Sequence, residues 1–252
     1  MTKIYVIIVL IQFVVSDWGS TGHRAIAEVA SNYLTENSIK KINKILDGET
    51  LVNVSTYADD IKSDSRYDKY YNWHFVNMDL DKSYEDIVKS PKGDVVFAIN
   101  KSIDVLKDNE SSKSEKAFYL KLLVHFIGDM HQPMHIGRYE DRGGNRITLK
   151  WFGRNTNLHR IWDSDMINSH NMSYSELAKN LPAPKNLNIK FVRTDLLKWL
   201  DEIHLYTKKI YEEVSVDDNL GYEYQYKNFG LVKELLLTGG LRLAAILNYL
   251  FD

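Results

Sequence analysis

The stretch AFYLKLLVHFIGDMHQPMH, residues 117–135, carries two messages at once. Leu120, Leu123, Val124 and Ile127 recur at steps of three and four, the spacing of a helix laid against a core. On that same run His125 and Asp129 stand four apart, one turn from each other on one face. Pro133 ends the helix, so the chain can turn His135 back toward that face. An imidazole, a carboxylate and a second imidazole in this arrangement make half of a zinc site. His131 lies between them but points off the 125/129 face. It reads as a support for the ligands or as a surface residue.

Outward from this segment the helical period continues. HRAIAEVASNYL places Ile26, Val29, Ala30 and Tyr33 on one face. DLLKWLDEIHLYTKKIYEEV is a long amphipathic helix, and LVKELLLTGGLRLAAILNYL closes the chain as another, with Gly239-Gly240 as a weak point. NRITLKWFG has strand character, and Gly143-Gly144 before it favours a hairpin or a bent loop. Pro182 and Pro184 mark residues 180–192 as a loop. The expectation is one mainly α domain with a small β-hairpin element.

Composition sets the class. The chain has 252 residues, 44% hydrophobic and 26% charged, enough for a full core. Its formal net charge is −2, which excludes a global basic field, so any attraction for a polyanion must be local. Residues 1–16 read as a secretory signal: Lys3, then the apolar IYVIIVLIQFVV, then small or β-branched residues at Val14 and Ser16. Cleavage near residues 16–17 would leave a single domain over 17–252, secreted or periplasmic. No later apolar run reaches membrane-spanning length, so no stable membrane association is expected. The absence of cysteine rules out disulfides and suggests metal as the internal staple.

The remaining histidines strengthen the metal reading. NLHRIWDSDM repeats the four-residue device with His159 and Asp163, while Asp165 faces elsewhere. TYADDIK offers Asp59 or Asp60, NWHFVNMD offers His74, and His23 follows the signal closely. Together these nitrogen and oxygen ligands suffice for more than one zinc ion, and imidazole–carboxylate sites with open positions suit hydrolysis.

WGSTGH (18–23), YADDIK (57–62), WHFVNMD (73–79), HFIGDMHQPMH (125–135), RGGN (142–145), NLHRIWD (157–163) and GLRLAAILN (240–248), in this order, resemble the S1/P1 nuclease family of secreted zinc enzymes. The resemblance covers nearly the whole mature chain and implies the helical fold shared by zinc phospholipase C and P1 nuclease, with three zinc ions in a cleft. It assigns Asp59, His74, His125 and Asp129 to one zinc and His135, His159 and Asp163 to a second. The third takes His23, a bridging Asp129, and Trp18 through its freed α-amine and its carbonyl. Asp17, ahead of Trp18, departs from the small residue usual in the family, and it must be trimmed for that amine to be free.

The resemblance further implies cleavage of single-stranded RNA and DNA, and of nucleotides, to 5′-phosphate products, with 3′-nucleotidase activity alongside. Asp59 would orient the attacking water. Lys62, where the family usually has arginine, would neutralise the phosphate with a single charge rather than a two-pronged grip. Phe75 would stack on a base, Asn77 would meet the base edge in place of an aspartate, and Asn145 would line the cleft. No protein partner is implied. The zinc-dependent phospholipases C are the alternative within this fold. The short spacing from Trp18 to His23, and aspartate rather than glutamate at 163, favour the nucleases. A noncatalytic zinc-binding protein is the reading from another class.

Overall fold

The computed structural model describes residues 18–185 and 189–252. Residues 1–16, expected to be a signal, and Asp17 lie outside the described residues. The Lys113–Met130 helix is the axis of the molecule. Its start is fixed by a capping box: the Glu115 amide donates to Ser112 Oγ at 3.2 Å, and the Ser112 amide donates to the Glu115 carboxylate at 3.0 Å. From Leu122 to Met130 every side chain is buried, including His125 and Asp129. The Val95–Lys107 helix lies along it, and the Ser20–Ser31 and Tyr222–Phe251 helices pair with each other and close over it. The Asp195–Glu212 helix backs the Pro133–Ile136 turn, where Thr207 Oγ1 donates to the Pro133 carbonyl at 2.7 Å. Among the described residues no helix is long and apolar enough to cross a membrane.

The β element is the expected hairpin plus one strand. Strand β1 (Thr148–Trp151) pairs antiparallel with β2 (Arg154–Asn157). The turn between them is Phe152-Gly153, both at positive φ, whereas Gly143-Gly144 forms a bent loop upstream. Strand β3 (Asn219–Leu220) adds parallel to β1, and its two residues are too few to leave a period in the sequence. Neither 181–185 nor 189–194 forms helix or strand, in keeping with the expected loop, and residues 186–188 lie outside the described residues.

Three sequence expectations need correction. Tyr33 lies beyond the end of its helix and is 36% exposed, because the Ser20–Ser31 helix stops before it. His131 is not a surface residue. It is fully buried, donating from Nδ1 to the Ile127 carbonyl at 2.7 Å and meeting Arg242 Nη1 with Nε2 at 3.1 Å. Burial, and then the Arg242 guanidinium, push its pKa down to about 3, so the ring is neutral. Arg242 also pairs with Glu202, so it ties the last helix both to the end of the central one and to the Asp195–Glu212 helix.

Gly239-Gly240 is the third. The Tyr222–Phe251 helix runs through it without a break, because the two glycines are where another helix comes closest. A Cβ at Gly240 would sit 2.5 Å from the Val29 side chain and 2.9 Å from the Ile26 carbonyl. Gly240→Ala is therefore expected to destabilise the protein by about 1–3 kcal/mol through overpacking. Gly230→Ala, on the same helix where nothing lies within 4 Å, should stabilise it by about 0.5–1 kcal/mol. Urea midpoints of the two variants against wild type measure both; a Gly240→Ala midpoint at or above wild type would refute the close-approach account.

Candidate metal centre

Six separate parts of the chain meet at the buried end of the central helix. His125 and Asp129 come from the helix itself, and His74 from the end of the Ser65–His74 3-10 helix. His135 is carried by the turn after Pro133, and His159 and Asp163 by the run from Leu158 to Ser169. That run contains a π turn, Ile161–Asp165, a local widening common at functional sites. His23 approaches from the first described helix. Its ring stacks on His125 with centroids 3.9 Å apart, and a Cβ at Gly128 would stand 2.6 Å from its Nδ1. Gly128 is therefore what lets His23 reach the helix between the two residues that the sequence singles out.

Backbone carbonyls orient the imidazoles. Nδ1 of His125 donates to the Ser55 carbonyl at 2.7 Å, Nδ1 of His135 to the His74 carbonyl at 2.8 Å, and Nδ1 of His159 to the Gly143 carbonyl at 2.7 Å. With the proton fixed on Nδ1, each ring turns a basic Nε2 inward, the tautomer a metal ligand needs. His74 presents Nδ1 instead, 2.9 Å from Asp129 Oδ2 and 3.2 Å from His125 Nε2. The two oxygens of Asp129 face different rings. Oδ1 lies 3.4 Å from both His23 Nε2 and His135 Nδ1, and Oδ2 lies 3.1 Å from His125 Nε2.

Three groups of ligand atoms, each within 4.8 Å of one another, result: His23, Asp59 and His125; His74, His125 and Asp129; His135, His159 and Asp163. The chemistry of the donor set fits divalent cations. Asp129 and Asp163 are both fully buried, and a buried carboxylate needs compensating positive charge. Among the described residues, no lysine or arginine reaches ion-pair distance of Asp163. His159 Nε2 stands 3.2 Å from its Oδ2, and both atoms are buried without a hydrogen-bond partner. Of the two aspartates in YADDIK, the structure turns Asp59 inward, 3.5 Å from His125 Nε2, while Asp60 is exposed and accepts from Thr56.

The other predicted residues ring this cluster at different ranges. Lys62 Nζ is 2.9 Å from Asp59 Oδ1 and half-buried. Phe75 is half-buried beside His74, its ring edge-on to the exposed Tyr71 at 6.2 Å. Asn77 is half-buried between Val76 and Met78, whose amides bond the carbonyls of His135 and Gly137. Asn145 Nδ2 donates to the Arg142 carbonyl at 2.9 Å, so its side chain closes the glycine loop rather than joining the ligand groups. Trp18 is fully buried, its indole 3.1 Å from where a Cβ of Gly22 would be. The next residue, Gly19, donates to the Asp163 carbonyl at 2.8 Å, so the first described residues sit against the π turn that carries a ligand.

Sequence reasoning missed two supports. Gln132, fully buried, donates from Nε2 to Asp163 and accepts the Met134 amide, joining both halves of the cluster. Asp141 accepts from the Gly144 amide at 2.7 Å, Tyr211 OH at 2.8 Å and Arg138 Nε at 2.8 Å. It holds the loop in which Gly143, at φ +61, offers its carbonyl to His159; a Cβ there would lie 2.2 Å from the Met134 carbonyl. The one sequence signal for either was adjacency to a motif.

Comparison with known proteins gives the family. The S1/P1 nuclease family model matches residues 18–252. Endonuclease 4 of Arabidopsis thaliana is 29% identical, the alignment covering 93% of this chain and 89% of the relative. Nuclease S1 of Aspergillus oryzae is 29% identical over 92% of this chain and 91% of its own length, and nuclease P1 of Penicillium citrinum 31% over 63% of each. With a match from Trp18 to the last residue, enclosing every ligand candidate, the chain belongs to the S1/P1 nuclease family of metal-dependent phosphodiesterases.

Proposed function

We propose that the protein is a secreted zinc endonuclease that cuts single-stranded RNA and DNA to 5′-phosphate products, with accompanying 3′-nucleotidase activity. The observation that carries this reading is the contiguity of three imidazole–aspartate groups, on Asp59, Asp129 and Asp163, two of them wholly buried. Asp59, His74, His125 and Asp129 would hold one zinc; His135, His159 and Asp163 a second; His23, Asp129 and the amine and carbonyl of Trp18 a third. Signal removal near residues 16–17, with loss of Asp17, would supply that amine to a mature domain that begins there. Zinc bound in this cluster supplies Lewis acidity toward a phosphodiester and makes water nucleophilic near neutral pH.

The chain's own residues do the rest. Asp59, at the half-exposed edge of the cluster, orients the attacking water. Lys62, already beside Asp59, neutralises the phosphate that arrives there. Phe75 stacks on a base for about 1–3 kcal/mol whatever the base, and Asn77 meets its edge with an amide that both donates and accepts. Three divalent ions against three aspartates leave a local excess of positive charge in a mildly acidic chain. A flexible strand can splay a base onto Phe75; a duplex keeps its bases stacked away.

The direct test is a paired assay on the purified mature protein. It should carry zinc and cleave single-stranded oligonucleotides while leaving phosphatidylcholine intact. Release of phosphocholine with nucleic acid untouched would make it a phospholipase, and metal binding with neither activity a zinc-binding protein.

Asp129→Ala is expected to do more damage than Asp163→Ala, since its carboxylate serves rings of two groups and the metal-linked share of folding energy falls with it. Its activity loss should exceed the roughly 10–100-fold typical of disturbing an outer partner of a ligand. Metal content by mass spectrometry and the thermal midpoint report this, and equal values for Asp129→Ala and wild type would overturn it. Lys62→Ala should lower kcat by about 10²-fold, as for loss of one transition-state donor, while Lys62→Arg keeps most of it. A Lys62→Ala enzyme with wild-type kcat would reduce Lys62 to a surface ion-pair partner of Asp59.

A further inference from the structure

A groove lies away from the ligand cluster. It has a volume of about 1020 Å³ and lies between the 68–73 segment, the 84–101 segment and the start of the Asp195–Glu212 helix. Its floor is aromatic. Trp73 packs edge-on against Tyr70 and Phe97, with centroids 4.7 and 5.3 Å away, and Phe97 is 48% exposed although it sits on a well-packed helix. Its rim is basic. Five cationic side chains line it against two carboxylates, in a chain whose formal net charge is −2. One of those carboxylates, Asp94, is buried and already engaged, accepting from Tyr84 OH at 2.9 Å and the Phe97 amide at 2.9 Å.

The rim is held in place from below. Trp73 Nε1 donates to the Lys92 carbonyl at 2.9 Å, and Gly93, at φ +84, turns the chain back at a point where a Cβ would stand 2.6 Å from the Phe97 ring. This leaves the side chains of Lys89 and Lys92 exposed above the aromatic floor, with Lys89 Nζ 3.6 Å from the centre of the Tyr84 ring. The same segment is bound to the metal-cluster side of the molecule: the Val95 amide donates to the Phe75 carbonyl at 3.2 Å, and Trp73 precedes His74 in the chain.

An exposed ring such as Phe97, backed by the buried Trp73 and Tyr70 and flanked by cations, is what single-stranded nucleic acid needs, the ring for a base and the charges for its phosphates. We propose that this groove is a second binding surface for single-stranded nucleic acid, holding the part of a long strand that lies outside the cleavage site. The inference rests on the nuclease reading and adds to it a length dependence. A long strand engages the groove and the cluster together and gains effective concentration at the second from binding at the first. A dinucleotide engages the cluster alone.

The test compares two substrates, thymidylyl-thymidine and a twenty-nucleotide oligothymidylate, on the zinc-loaded protein. The charge-reversed double variant Lys89→Glu/Lys92→Glu should keep kcat/KM on the dinucleotide within about twofold. Its KM on the long strand should rise by about tenfold, and the salt dependence of that KM should flatten by about 1.4 in log–log slope, two phosphate contacts at roughly 0.7 each. Phe97→Ala should raise the long-strand KM by about fivefold or more with no change in the salt slope, the mark of lost stacking. Long-strand KM and slope that stay at wild-type values in both variants would overturn the groove. The same kinetics with a change in sedimentation would overturn it in favour of a contact between copies of the chain. A wild-type enzyme that cuts neither substrate would overturn the nuclease reading and this inference with it, an outcome distinct from a wild type that cuts both.

Discussion

Asp129 is a carboxylate buried at the centre of a helical core, with the imidazoles of His23, His74, His125 and His135 around it. A charge in that position is tolerable only if other groups are held around it with small error, because a misplaced partner leaves an uncompensated ion in a low-dielectric interior. Much of the architecture serves that condition. The central helix supplies Asp129 and His125 on one rigid face. The neighbouring elements are shaped less by their own propensities than by where they must deliver a ring. A 3-10 helix ends at His74, a proline-led turn carries His135, and a π turn carries Asp163.

The rings are aimed from behind by backbone rather than by other side chains. Carbonyls of Ser55, His74 and Gly143 each accept an Nδ1 proton, so the loops containing them matter as much as the ligands. One of these carbonyls belongs to His74, itself a candidate ligand, so the bond couples His74 to His135 directly. Another belongs to a glycine loop that Asp141, Arg138 and Tyr211 hold together; burial and the adjacent Asp141 raise the Tyr211 phenol pKa, keeping its proton available for the bond to that carboxylate. In a chain with no cysteine, this web of hydrogen bonds joins segments that no disulfide can join.

Surface chemistry divides in the same way. Phe75 and the exposed Tyr71 stand beside His74, and Lys62 beside Asp59, so the rim of the cluster already joins an aromatic face to a cation. The groove around Trp73 and Phe97 repeats that combination on a larger scale. A chain with a mildly negative total can therefore present positive, aromatic surface where a strand would run, and remain acidic elsewhere.

Much of this was legible in the residues. The three-and-four spacing of Leu120, Leu123, Val124 and Ile127 determined the central helix, and four-residue His/Asp pairs determined which face would carry ligands, because a helix converts sequence separation into direction. The hairpin was legible through its strand-forming residues. What the sequence left open was whatever depends on two distant segments meeting. From spacing alone it could not choose between Asp59 and Asp60, which sit in one short helical turn; the family resemblance pointed to Asp59, and the tertiary approach to His125 separates the two. It read Gly239-Gly240 as weakness, because a missing side chain looks like lost propensity until Val29 and Ile26 are seen pressed against it. It left His131 open between a support for the ligands and a surface residue, because Arg242, which it meets, lies over a hundred positions along the chain. It gave no sign of β3, of Gln132 bridging the cluster, or of cations from separate segments gathering over Trp73. Spacing along a chain encodes which face a residue occupies; what that face meets is decided by packing between elements, and no local period records it.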